Sequence, residues 1–181
     1  MRKYLFITLF LSLGLGMIAQ TSNNKYEKDW EQIEQYKELA NPQSAINALD
    51  EMLERAVAEE NSTQVIKIYI NRAKFKKDIF REGDTDLAFK LEEMCVTEQN
   101  AALKALLHSI IAEDYAAYYK RHHWKISQRS ALLDVVPEDI EEWPTNLFIT
   151  KITEHLEQSI QEIEVLKKHT TKEFDDIILL G

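Results

Sequence analysis

The run Tyr118-Tyr119-Lys120-Arg121-His122-His123-Trp124-Lys125-Ile126-Ser127-Gln128-Arg129 carries the densest chemistry in the chain. Two adjacent imidazoles invite a metal, acid–base or pH-sensing reading, and aromatic rings interleaved with bases are what nucleic-acid surfaces use. On a helix, however, neighbours diverge by about 100° around the axis, so His122 and His123 cannot easily share one metal ion. The other histidines, His108, His155 and His169, are isolated, without the H-x-x-x-H or H-E-x-x-H spacing that puts two ligands on one helix face. No metal and no cofactor is expected. A catalytic centre is not expected either: Gly-x-Ser-x-Gly, Walker and paired-cysteine motifs are missing. The acids at Glu113-Asp114 and in Pro137–Trp143 read as solvated faces of an acidic chain.

Charge argues in the same direction. Asp and Glu number 31 against 22 Lys and Arg, a formal net charge of −9. The cluster from Lys120 to Lys125 is too small to reverse that field, so a nucleic-acid partner is excluded. Cys95 is the single cysteine, which rules out an internal disulfide. It falls at an apolar helical position, where a small buried hydrophobe is expected rather than a reactive thiol.

The elements that must position these residues begin after a leader. Residues 1–20 have the three parts of a secretory signal: Arg2 and Lys3, an apolar run from Leu5 to Leu15, and a small-residue cleavage site at Met17-Ile18-Ala19. The run is short for a membrane span, and a polar stretch follows at once, so cleavage and export to the periplasm or cell envelope are expected, with no stable span afterwards. Residues 21–181 then form a single domain. Its glycines and prolines are few (4 and 3 in the whole chain, two of the glycines in the leader), which leaves little for hairpins and favours helices joined by short polar turns.

Apolar residues recur at helical spacing nearly throughout. The first stripe is Trp30, Ile33, Tyr36 and Leu39. A second helix follows Pro42, with Ser44 as its N-cap, carrying Ala45, Leu49, Met52, Leu53 and Ala56. Asn61 separates it from a third with Val65, Ile66, Tyr69, Ile70 and Ala73. The motif Asn61-Ser62-Thr63 matches a glycosylation acceptor but reads more simply as this helix boundary. A fourth helix, capped by Asp84 or Thr85, carries Leu87, Leu91 and Met94, and a fifth runs from Leu103 to Tyr118. A long last helix from Pro144 has Phe148, Ile152, Leu156, Ile160, Ile163 and Leu166 as its stripe. The expected class is all-α: about six helices in antiparallel hairpins.

A faint repeat runs through this array. At an offset of 42, Leu49 matches Leu91, Asp50-Glu51-Met52 matches Glu92-Glu93-Met94, Val65 matches Leu107 and Tyr69 matches Ile111. Helical hairpins repeated in this way can stack as a tetratricopeptide-like solenoid, and any two amphipathic helices can also match by chance.

Several segments together carry a resemblance. They are Pro42, Ser44 and Ala45 at a helix start; Ala58, Glu60, Asn61, Gln64 and Lys67 across a helix junction; Tyr115, Tyr118, Tyr119, Trp124, Lys125, Ile126 and Arg129; and Asp139, Ile140, Trp143 and Phe148. In these the chain resembles the N-terminal helical region of the large alpha-2-macroglobulin-like proteins of Bacteroidetes. That resemblance implies a fragment of a longer secreted chain whose relatives trap proteases or guard the envelope. The thioester motif of some relatives is not present, since Cys95 lies in Met-Cys-Val-Thr-Glu. What it implies for this chain is a non-enzymatic scaffold or interaction module whose partner is the remainder of a macroglobulin-like chain or another envelope protein; the alternative is a free-standing periplasmic helical-repeat adaptor. The expected structural anchors are Trp30, Tyr118, Trp124, Arg129 and Trp143. Trp124, Ile126 and Arg129 are expected to form a turn, with Trp124 packed inside it, Arg129 bonding helix-end carbonyls, and His122 and His123 on the surface.

Overall fold

Asparagines open three of the helices. Asn41 accepts from the Ser44 amide at 3.3 Å, Asn61 from the Gln64 amide at 3.2 Å, and Asn100 from the amides of Ala102 and Leu103 at 3.0 and 3.1 Å. Each bond satisfies an amide that a helix start leaves without a carbonyl partner. Pro42 occupies the first turn that Asn41 caps, so the cap lies at Asn41 rather than at Ser44.

The computed structural model describes residues 18–79, 86–130 and 136–177. Among these the chain is all-helical, with α1 (Ile18–Glu38), α2 (Pro42–Ala58), α3 (Ser62–Ile79), α4 (Leu87–Thr97), α5 (Ala101–Ser127), α6 (Thr145–Ser159) and the single turn α7 (Ile163–Leu166). Short 3-10 turns lie at Ile140–Glu142 and Thr171–Phe174. Residues 1–17 of the expected leader, and the expected caps Asp84 and Thr85, lie outside the described residues; α4 starts after Asp86. No described helix is long and apolar enough to cross a membrane.

Three-residue links join α1 to α2, α2 to α3 and α4 to α5; helices α1 to α6 pack chiefly on their neighbours in the chain, and α7 packs on α5. The first two links turn through Ala40 and Glu60, at φ 50° and 53°. No glycine falls among the described residues, so these left-handed positions are filled by side chains that pay a steric cost there. Asn41 and Asn61 close both turns by donating their amides to Tyr36 and Ala56 carbonyls at 2.9 and 3.0 Å.

Two apolar cores result. Tyr26, Ile33, Leu49, Met52, Val65, Ile68 and Phe75 fill the first, between α1, α2 and α3. The second gathers Leu91, Leu107, Ile111, Tyr115, Ile126, Trp143 and Phe148 from α4, α5 and the α6 region, together with Ile66 and Ala73 of α3. Helix α3 thus buries residues on two sides, and Tyr69 borders both cores.

Two expected elements differ. The fifth helix does not stop near Tyr118 but continues to Ser127, because nothing between Lys120 and Lys125 breaks a helix. The long last helix ends at Ser159, and its buried face is Phe148 and His155 with Ile152 partly covered; Leu156, Ile160 and Ile163 of the expected stripe are each at least half exposed.

Candidate functional site

Buried imidazoles need partners for their nitrogens, and α5 and α6 each bury one. His108 is 6% and His155 8% exposed, with their Nδ1 atoms 2.9 Å apart. On its far side, His155 Nε2 lies 3.0 Å from Glu92 Oε1 of α4. The same carboxylate oxygen accepts from the Tyr115 hydroxyl at 3.1 Å and faces Lys151 Nζ at 3.6 Å. His108 Nε2, at the other end of the chain of contacts, is buried and has no hydrogen-bond partner among the described residues.

Electrostatics assign the charge. Burial pushes the Glu92 carboxyl up, but the hydrogen bond from His155, the Lys151 charge and the Tyr115 hydroxyl outweigh it, so its pKa lies below the ordinary value. Glu92 is therefore a carboxylate, and a carboxylate only accepts. Burial first, then the neighbouring His155 and Lys104, lower the His108 pKa against the opposing pull of Glu92. Burial and Glu92 raise that of Tyr115, which keeps its proton.

At the offset of 42, His108 takes the place of Ile66, which is fully buried in the preceding hairpin. Glu92 takes the place of Asp50, which accepts from Arg72 Nε at 2.7 Å. Both hairpins thus tie an acid of their first helix to their second helix, through Arg72 in one and Tyr115 in the other. The sequence signal for the site was a histidine in an apolar stripe. His108 and His155 are therefore not isolated, as their spacing in sequence implies, because the fold joins positions 47 residues apart.

The basic run is placed differently from expectation. Trp124 is not a packed anchor: it is 75% exposed on the last turns of α5. Nine positions at about 100° each put it roughly opposite the buried Tyr115 around the helix. Ile126 turns inward and is fully buried instead. His123 is exposed, and His122 is half-buried with its ring 4.5 Å from that of Tyr118. The two histidines do not converge. Tyr118 stacks on Phe148 at 5.7 Å and 17°.

Trp143 occupies the inside position. It is 1% exposed, its Nε1 donates to the Pro137 carbonyl at 2.8 Å, and its ring contacts Phe89, Tyr115 and Phe148. Arg129 Nη1 donates to the Trp143 carbonyl at 2.7 Å, at the end of the 3-10 turn that Asp139 caps. Trp30 sits across the first core: its Nε1 donates to Gln64 Oε1 at 2.8 Å, and Lys67 Nζ lies 4.3 Å over its ring while pairing with Asp176 at 3.7 Å. Cys95 is buried, and burial pushes its thiol up to about 11.

Among the described residues no group of three His, Cys, Asp or Glu side chains gathers in a metal-holding arrangement. Comparison with family models, with curated proteins and with solved structures finds no match to this chain.

Proposed function

We propose that this chain is a non-enzymatic helical interaction module, exported through its leader to the periplasm or cell envelope. The observation that carries this reading is an apolar stripe on the outward side of α6 and α7. Ile149, Leu156, Ile160 and Ile163 are each at least half exposed, and Ile149, Leu156 and Ile160 recur at the spacing of one helix face. Several large aliphatic side chains exposed together lose favourable free energy in water and regain it against a partner. The residues quoted for the macroglobulin resemblance favour, as that partner, the remainder of a macroglobulin-like chain. A separate envelope protein is the second reading, that of a free-standing adaptor.

A photoreactive amino acid placed at Leu156 or Ile160 in the producing cell tests this. The expected result is a cross-link to one macroglobulin-like chain, with none from the neighbouring exposed Glu157. A cross-link to an unrelated envelope protein replaces the first reading by the second, and the absence of any adduct removes the docking stripe. The purified chain should also leave endopeptidase cleavage of a protein substrate unchanged. Stoichiometric inhibition would overturn the module reading.

A further inference from the structure

We propose that the facing Nδ1 atoms of His108 and His155 form a single-proton latch between α5 and α6, which acid opens. The argument is a count of protons. Glu92 accepts at Oε1, so His155 Nε2 carries a hydrogen. Neutral His155 then has a bare Nδ1, and the 2.9 Å contact requires that His108 Nδ1 carry the hydrogen between them. That leaves His108 Nε2 as a bare lone pair, in agreement with its burial without a partner. The four nitrogens hold two protons in a fully determined order.

A third proton has one place to go. His155 Nε2 is already occupied, and the space between the Nδ1 atoms holds one hydrogen, so the added proton enters at His108 Nε2. There it creates a buried N–H without an acceptor among the described residues, and it puts a positive charge on a pair that was neutral. A fourth proton would set N–H against N–H at 2.9 Å, which the packed arrangement cannot contain. The charged and titratable groups facing the pair are Glu92 from α4, Lys104 and Tyr115 from α5, and Lys151 from α6. Both lysines oppose further positive charge, so among the described residues Glu92 alone favours it. The latch lies in the most extensive pair among the described helices, α5 on α6. Ile66, 42 positions earlier, is fully buried, which makes isoleucine the replacement of choice at position 108.

The sign follows from linkage. Burial holds the His108 pKa below the ordinary value when folded, so the unfolded chain takes up this proton first as pH falls through the ordinary histidine range. Stability is complete above that range and declines below it. The test compares thermal unfolding of the wild-type chain and His108→Ile from pH 7.5 to 5. The wild type should lose about 5 °C more than the variant, a shift typical of losing one such interaction in a domain of this size. Equal losses overturn the latch. Imidazole nitrogen NMR of the wild type is independent of whether the variant folds. It should find His108 protonated at Nδ1 and His155 at Nε2 at pH 7.5. Both rings in the Nε2–H form at that pH, or titrating as free histidines, would overturn the proposal.

Discussion

Arg129 donates to the backbone carbonyl of Trp143 across the residues that connect α5 to α6. The guanidinium bonds the peptide and leaves the indole free to point into the aromatic core, where Phe89, Tyr115 and Phe148 surround it. Trp143→Ala should therefore destabilise by about 3 to 5 kcal/mol, the cost of a large vacated core position. Arg129→Ala should cost about 1.5 to 3 kcal/mol for a charge-assisted bond. Trp124→Ala should stay within about 0.5 kcal/mol, as an exposed site does. Urea denaturation ranks the three, and a Trp124 variant as damaging as Trp143→Ala would contradict the packing.

The two left-handed turn residues offer stabilising changes. Ala40→Gly and Glu60→Gly each relieve a Cβ clash at positive φ, against the greater freedom that glycine gives the unfolded chain. A net gain of about 0.5 kcal/mol per site is expected. A lower melting temperature for both variants would show that these turns carry no strain.

Glu92 has a folded pKa below its ordinary value. Its stabilising contribution is present above the ordinary carboxyl range and is lost as pH falls through the folded pKa. Glu92→Gln should cost about 1 to 3 kcal/mol near neutral pH, where His155, Tyr115 and Lys151 lose their anion. The gap between variant and wild type should close toward pH 3. A gap that is constant with pH would mean that the carboxylate charge is irrelevant.

Cys95, with its thiol raised to about 11 by burial, should be alkylated at pH 8 at least about 100-fold more slowly in the folded chain than in urea. Equal rates would place it at the surface.

Much of the helical framework was legible, because it depends on local signals. Pro42, Asn61 and the apolar repeats set the starts and faces of α2, α3 and α4 through contacts only three or four positions apart. The end of α5 was not, because residues 120–127 suit a helix as well as a turn, and the tryptophan suggested burial by type when its angular position exposed it. On α6, Leu156 looked like the core residue by hydrophobicity. Its neighbour His155 took the inward position because Glu92 and His108 were there to satisfy it, and a sequence read one helix at a time contains neither.

Helix α3 sends Val65, Ile68 and Phe75 into one core and Ile66 and Ala73 into the other. A helix that serves two interiors cannot be inherited with one of them. Shuffling of gene segments between α3 and α4 would strip an apolar flank from whichever half lacked α3 and leave the other flank bare on the half that kept it. Severing the chain between α3 and α4 is therefore expected to weaken both cores, since each takes one flank from α3.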